Sequence, residues 1–402
     1  MLKKIEQFII EKSKKNEYAR LFEGGAYKRR DITDDVITER PFEYCPAWER
    51  TFLSAMRHNL EYQFNNCGYY KKICLRKAFY PKDLNSFEDI WGIPYILSDV
   101  FKHYDIRTRS SGILRFEFTS SGSSGKKSKV AYNRITVRRM MLANYYIYKA
   151  LGLVAEGTAT NYIMMCVDPK IDASIATSNA DVFLSHLAPK KNMFFSLGKD
   201  AHGNTAFLRD ESVENLKGFI EEGLPIRMLG FAHFICQTIS GYARKYGKVY
   251  FPKGSYMLYG GGWKNFASLY GPGFDLFEFL LENTNIDLKN VRDVYGLIEH
   301  GLYYLECEEH NKHIPNTALV CVRDPRTLNR LTYGENGLLH LYSPIFECYP
   351  GISILTTDYG SIHASCPCSL GGPYIKIEGR AGVTKKATCA LTAEQYIEKD
   401  AL

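Results

Sequence analysis

The middle of the chain alternates between helical periodicity and short continuous apolar runs. Apolar residues recur at helical spacing over 137–148, and residues 162–167 are a continuous apolar run that ends at Asp168-Pro169. Short buried strands that alternate with helices are typical of a parallel or mixed sheet, so the pattern predicts an α/β core. The alternation continues with helical patterns at 212–220, 231–239 and 276–281 and strand-like runs at 225–229, 256–259 and 291–295.

The two ends of the chain have different patterns. Aromatic and apolar stripes such as Trp48, Phe52, Met56 and Leu60 indicate helices packed on a core. From Ala318, short apolar runs separated by turns predict a β-rich region. We therefore divide the chain into a helical N-terminal layer (1–85), an α/β core (86–317), a small β-rich subdomain (318–380) and a short tail (381–402).

Composition narrows the class of protein. The chain of 402 residues suffices for two or three core units, and its 45% hydrophobic content is that of a globular protein. A net charge of +7 without a basic stripe argues against nucleic-acid binding, and no apolar run approaches a membrane span. Eleven scattered cysteines and an N-terminus without an apolar signal core predict a cytoplasmic protein with reduced thiols.

The stretch 118–130, with the sequence FTSSGSSGKKSKV, is the first candidate for chemistry. It follows a predicted strand at Phe116 and Phe118 and precedes a predicted helix from Arg134. Its two glycines, six hydroxyl side chains and three lysines suit a polyphosphate. It is not the P-loop G-x-x-x-x-G-K-[ST]. When that motif is aligned on Gly125-Lys126, Ser120 occupies the position of the first glycine and Lys127 occupies the position of the serine or threonine. A flexible Ser/Gly linker is the alternative.

Further motifs follow in order along the chain: Gly260-Gly261-Gly262-Trp263-Lys264, Tyr295-Gly296-Leu297-Ile298-Glu299, Thr356-Thr357-Asp358-Tyr359-Gly360 and Gly379-Arg380. Together with the loop, they resemble the adenylate-forming synthetase superfamily over about residues 86–389. Within it, the pattern is most similar to the acyl-protein synthetases of bacterial luminescence. The resemblance implies an α/β fold of mixed sheets layered with helices, with a small β-rich subdomain and with the C-terminal mobile domain missing or vestigial.

The resemblance also implies a site for ATP and Mg²⁺. Glu299 would hold the magnesium, Asp358 the ribose hydroxyls, and Arg380 the ribose or the α-phosphate. Ile298 departs from the family pattern, because an isoleucine cannot make the hydrogen bond of the usual threonine. Glu299, Asp358 and Arg380 are each also compatible with an ordinary surface or turn residue. The implied ATP-binding residues are Thr119, Ser120, Ser121, Gly122, Ser123, Ser124, Gly125, Lys126, Lys129, Gly260, Gly261, Gly262, Trp263, Tyr295, Gly296, Asp358 and Arg380.

The tail carries the last candidate. Adenylate-forming ligases of the usual kind continue into a mobile domain with a catalytic lysine, whereas Cys389 resembles the acylated cysteine of the luminescence branch. Nine extended residues from Arg380 to Cys389 reach up to about 30 Å at roughly 3.3 Å each, far enough to enter the same site. Lys385 and Lys386 would favour the thiolate. An inert tail cysteine is the alternative.

The implied function is ATP-dependent activation of a carboxylic acid, expected to be a fatty acid, to an acyl-adenylate. Glu299, Arg380 and Cys389 are the catalytic candidates, and the acyl group would pass from Cys389 to an acyl-CoA-reductase-like or other acyl-acceptor protein. Two alternatives remain: a ligase that uses coenzyme A or another acceptor directly, and a catalytically degenerate nucleotide-binding scaffold. The sequence leaves the particular acid and the oligomeric state open.

Two further groups of residues are weak candidates for a metal site and for an acyl pocket. Cys366-Pro367-Cys368, with His363 and Cys348, offers zinc ligands, but C-x-C spacing is weak and reduced packing cysteines are favoured. His233 could line an acyl pocket, although a structural histidine is the preferred interpretation.

Overall fold

The computed structural model describes residues 31–109, 114–119, 128–155, 157–171, 183–199, 203–261 and 273–380, with the backbone alone at 114–119, Lys129 and Arg380. The helices are α1 (Pro46–Asn66), α2 (Gly68–Arg76), α3 (Arg134–Ala150), α4 (Arg209–Glu222), α5 (Ala232–Tyr246) and α6 (Leu276–Asn283). The strands are β1 (Ile96–Leu97), β2 (Leu114–Thr119), β3 (Lys129–Asn133), β4 (Thr160–Val167), β5 (Lys190–Lys199), β6 (Thr205–Phe207), β7 (Ile226–Gly230), β8 (Tyr256–Gly260), β9 (Val291–Gly296), β10 (Tyr303–Leu305), β11 (Lys312–His313), β12 (Leu319–Arg323), β13 (Gly337–Tyr342), β14 (Ser353–His363) and β15 (Tyr374–Arg380).

A seven-stranded sheet has the order β10-β9-β8-β7-β4-β5-β6. The strands from β9 to β5 are parallel, and β10 and β6 are antiparallel edges. Helices α4, α5 and α6 lie between successive parallel strands in the chain, as parallel connections require. The predicted mixed sheet is confirmed.

Strand β4 shows why its sequence is a continuous apolar run. Ile163, Met165 and Val167 point into the core that includes α4 and α5. Tyr162, Met164 and Cys166 point into the larger core on the opposite face. Because successive side chains of a strand alternate between faces, a strand covered on both sides must be apolar throughout.

A six-stranded sheet contains β11-β15-β14-β13-β12, with β1 pairing in parallel with β14. Helix α1 packs beside it, and its residues Phe52, Met56 and Leu60 are fully buried, as the stripe predicted. Asn59 and Gln63 of α1 donate hydrogen bonds to the carbonyl of Phe346 at 2.6 and 3.1 Å. The helix is thereby tied to the segment that joins β13 to β14.

The predicted strand, loop and helix need one correction. Strand β3 follows the Ser/Gly/Lys loop and pairs antiparallel with β2, so the loop closes a hairpin before α3 begins. The sequence did not predict this strand, because Val130, Ala131 and Tyr132 are all buried and the alternation of apolar and polar residues that marks a strand is missing. Asn133 then ends β3 and caps α3 by accepting a hydrogen bond from the Thr136 amide. Strand β5, at the partly exposed side of the sheet, also had no sequence signal.

Two expectations concern the whole chain. Within the described ranges, the cysteines form no disulfide. Among the helices of the described residues, none combines the length and apolar character that crossing a membrane would demand.

Candidate active site

The parallel strands β7, β8 and β9 end at Gly230, Gly260 and Gly296 on one edge of the seven-stranded sheet. Ligands of open α/β sheets bind outside this carboxyl edge. At Gly260 a side chain is excluded, because a Cβ would lie 2.9 Å from the carbonyl oxygen of Val294 on β9. Gly261 follows with a φ of +85°, whereas Gly262 and Trp263 lie outside the described residues.

Glu299 lies just beyond the end of β9 and is only 5% exposed. Burial raises the pKa of its carboxyl group, which accepts a hydrogen bond from the hydroxyl of Ser128. Among the described residues, Lys102 favours the charged form weakly and Asp358 opposes it. Lys102 itself pairs with Asp99 at 2.6 Å. The described surroundings therefore leave the charge of Glu299 poorly compensated.

Two tyrosines fix the backbone that carries Glu299. The Tyr349 hydroxyl donates to the Glu299 carbonyl at 2.9 Å, and the Tyr132 hydroxyl of β3 donates to the Ile298 carbonyl. Both rings are buried, with centroids 5.9 Å apart. The side chain of Ile298 packs against the larger core. The position that departs from the family pattern thus helps to anchor the turn.

The base of the Ser/Gly/Lys loop adjoins this carboxylate. Thr119 and Lys129 are register partners at the end of the β2–β3 hairpin, so the loop leaves and returns at one point. Ser128 stands next to that point, is buried, and contacts Glu299. The remaining predicted loop residues lie outside the described residues: Ser120, Ser121, Gly122, Ser123, Ser124, Gly125 and Lys126.

Asp358 approaches the same edge from the six-stranded sheet. It lies on β14 and is 6% exposed, and its Oδ2 accepts a hydrogen bond of 2.8 Å from the hydroxyl of Tyr295 on β9. Arg380 is the register partner of Asp358 on β15. The two sheets thus bring Tyr295, Asp358 and the backbone of Arg380 together. Cys389 lies outside the described residues.

Sequence reasoning missed several residues at this site. Ser128 lies inside the quoted loop stretch, and its position between two lysines was the available signal. Lys102, Tyr132 and Tyr349 come from separate segments, and no local pattern marks them. Their roles depend on contacts between distant parts of the chain.

His233, which was noted from the sequence, and His300, which follows Glu299, are both buried. Burial lowers the pKa of His300 to about 3, and its Nε2 lies 2.8 Å from the Tyr304 hydroxyl. Burial, helped by the charge of Arg209, lowers the pKa of His233 to about 4. Neither ring is a proton carrier near pH 7.

The architecture defines a class of protein. Solved structures of 2-hydroxyisobutyryl-CoA ligase share the fold: a postadenylation-state complex with R3-HIB-AMP has a TM-score of 0.61 at 14% identity, covering 85% of this chain and 70% of that one. An open conformation with 2-HIB-AMP and CoA has a TM-score of 0.61 at 15% identity, covering 84% and 71%. The fold is that of the adenylate-forming ligases.

Sequence comparison gives the family. Residues 27–397 match the family described as acyl-protein synthetase, LuxE, and the chain belongs to it. It is 22% identical over 378 residues to the long-chain-fatty-acid–luciferin-component ligase of Aliivibrio fischeri, covering 92% of this chain and 95% of that protein. The ligase of the same name from Vibrio harveyi is 23% identical, with 91% and 93% covered. The predicted family, fold and ligase class are confirmed.

Proposed function

We propose that this protein uses ATP and Mg²⁺ to activate a long-chain fatty acid as an acyl-adenylate and then transfers the acyl group to its own Cys389. The observation that carries the proposal is the buried Glu299 carboxylate, placed between Ser128 at the base of the Ser/Gly/Lys loop and Asp358 of the other sheet. The relatives named as long-chain-fatty-acid ligases support the choice of substrate.

The chemistry of the donors fits magnesium. Glu299 offers a buried carboxylate and Ser128 a hydroxyl, and Mg²⁺ prefers oxygen ligands with near-octahedral geometry. Glu299 would hold the ion. When bound, magnesium supplies positive charge to the phosphate oxygens.

In the first step, a carboxylate oxygen of the fatty acid bonds to the α-phosphorus of ATP. The bond from that phosphorus to the bridging oxygen breaks, and pyrophosphate leaves. Asp358, held by the Tyr295 hydroxyl, would accept hydrogen bonds from the ribose, while backbone amides between Thr119 and Lys129 would bind the phosphates. The protein contributes positioning and electrostatic stabilisation in this step.

In the second step, the sulfur of Cys389 attacks the acyl carbon. A thioester bond forms, the acyl–phosphate bond breaks, AMP leaves, and the thiol proton passes to solvent. A thiolate is an effective nucleophile for this exchange. The acyl group would then pass to a partner protein of the reductase type.

Two assays test these steps separately. We expect fatty-acid-dependent exchange of labelled pyrophosphate into ATP, and we expect Cys389→Ala to keep this exchange while losing covalent acylation. Cys45→Ala, which removes an exposed thiol, is the matched control and should keep both.

The results separate the alternatives. An absence of exchange with every acid tested would favour a degenerate scaffold. Full acyl turnover by Cys389→Ala, with coenzyme A or another acceptor, would refute self-acylation and leave a direct ligase.

A further inference from the structure

Four side chains with metal-ligating atoms meet where the two large sheets adjoin. Cys307 follows β10 of the seven-stranded sheet, and His313 lies in β11 of the six-stranded sheet. Cys366 and Cys368 lie in the connection from β14 to β15. All four are buried, and their ligand atoms lie within 4.8 Å of one another.

Two of the separations between these atoms are close to the edges of a tetrahedral zinc site. The Sγ atoms of Cys307 and Cys366 are 3.7 Å apart, and Cys368 Sγ lies 3.2 Å from His313 Nε2. With metal–sulfur bonds of about 2.3 Å and a metal–nitrogen bond of about 2.0 Å, the edges of a tetrahedron are about 3.5 to 3.8 Å. A disulfide would require about 2.05 Å between sulfurs.

The surroundings suit thiolates. Asn311 Nδ2 donates to Cys366 Sγ at 3.3 Å. Each sulfur also has a backbone amide from two positions further along the chain directed at it: Glu309 for Cys307, Cys368 for Cys366 and Leu370 for Cys368. Hydrogen bonds from such donors stabilise negative charge on sulfur.

We propose that Cys307, His313, Cys366 and Cys368 bind one zinc ion in a Cys₃His site. Three sulfurs and one imidazole nitrogen form a soft ligand set that selects zinc over magnesium. Four protein ligands complete the tetrahedron, so the ion is structural and takes no part in catalysis.

The ligand set differs from the one considered from the sequence. Cys348 instead donates its thiol hydrogen to Thr136 Oγ1 at 3.3 Å. His363 hydrogen-bonds Ser361 and stacks on Tyr374 with centroids 4.8 Å apart. Only Cys366 and Cys368 are shared by the two sets.

The zinc ion would join the connection from β10 to β11 to the connection from β14 to β15. The first follows the strand that pairs with β9, which carries Tyr295, and the second joins the strands that carry Asp358 and Arg380. The ion would therefore fix the two sheets relative to each other behind the candidate active site.

The test uses the full-length protein, purified without chelators and supplied with zinc alone. We expect one zinc ion per chain by elemental analysis. X-ray absorption at the zinc edge should show three sulfur neighbours at about 2.3 Å and one nitrogen at about 2.0 Å. Fewer than one zinc ion per five chains, or a shell of oxygen ligands, would overturn the proposal.

A pair of variants locates the ion. Cys366→Ala should lower the zinc content at least tenfold, whereas Cys236→Ala, at a buried thiol in the other core, should keep it. Equal zinc content in the two variants would refute the assignment. If Cys366→Ala does not fold, the X-ray absorption spectrum of the unaltered protein still shows whether three sulfurs and one nitrogen bind the zinc ion.

Discussion

Two buried carboxylates near β9, Glu306 and Glu299, have opposite surroundings. Lys312 lies 2.9 Å from Asp293 Oδ2 and 2.8 Å from Glu306 Oε1, so one cation is shared between two carboxylates. Burial opposes the charge of Glu306, but its hydrogen bond with His310 and the charge of Lys312 outweigh burial and lower the pKa. At Glu299, burial prevails and raises the pKa, and the described cation Lys102 acts weakly.

The difference separates structural from functional charge. In a buried ion pair the two charges compensate each other without a ligand, and removal of one partner lowers the free energy of unfolding. A buried carboxylate with little compensation costs folding free energy unless a cation arrives with the substrate. We therefore propose that Lys312 and its partners stabilise the fold and that Glu299 acts in the chemistry.

Lys312→Met tests the structural side. Removal of the cation leaves the buried Glu306 carboxylate next to the half-buried Asp293 carboxylate without their shared cation, so we expect the free energy of unfolding to fall by about 3–5 kcal/mol. Urea denaturation followed by circular dichroism measures it. Lys289→Met is the control, because Lys289 pairs with Asp287 at 2.8 Å on the surface and should change little. Equal losses in both variants would contradict the distinction.

Glu299→Gln tests the functional side. The amide keeps the shape but not the charge, so we expect pyrophosphate exchange to fall about 100- to 1,000-fold, the range found when one electrostatic contact to a transition state is lost. Stability should be kept or should rise, since a buried charge is removed. The exposed Glu282→Gln is the control. If Glu299→Gln lowers the free energy of unfolding while the folded protein keeps its full pyrophosphate-exchange activity, the assignment is reversed.

Tyr295→Phe sharpens the link between the two sheets. It removes the 2.8 Å hydrogen bond to Asp358 and so loosens the carboxylate proposed to bind ribose. We expect the KM for ATP to rise about tenfold, because hydrogen bonds to charged groups contribute about 1.5–3 kcal/mol. Tyr359→Phe loses an exposed hydrogen bond to the Asn336 carbonyl and should leave KM unchanged. If Tyr295→Phe and Tyr359→Phe have the same KM for ATP, Tyr295 has no role in binding ATP.

His300 provides the smallest test, through pH. Its pKa is about 3 in the folded chain, below the unfolded value of about 6.5, so its contribution to stability is present above pH 6.5 and is lost on acidification. Between pH 6.5 and 5.5 we expect His300 to contribute about 1 kcal/mol to the loss of stability, and His300→Gln should reduce the loss by that amount. Urea denaturation at both pH values measures this, with the exposed His103→Gln as control. An unchanged loss in His300→Gln would show that the ring is not buried as a neutral group.

How well the sequence predicted a feature depends on how far apart along the chain its cooperating residues lie. Glu299 and Asp358 belong to short contiguous motifs, so a local pattern was enough to propose them. Cys307 and Cys366 are 59 positions apart, and only the adjoining sheets bring their sulfurs together. Strand β3 was missed because its burial on both faces removed the alternation that marks a strand.

The central claim is that this site joins a carboxylate to the α-phosphorus of ATP. The most direct measurement is to incubate the full-length protein with ATP, Mg²⁺ and a long-chain fatty acid whose carboxylate carries oxygen-18, and to weigh the released nucleotide by mass spectrometry. We predict AMP that has gained one heavy oxygen. Unlabelled AMP, or ADP accompanied by labelled phosphate, would contradict it.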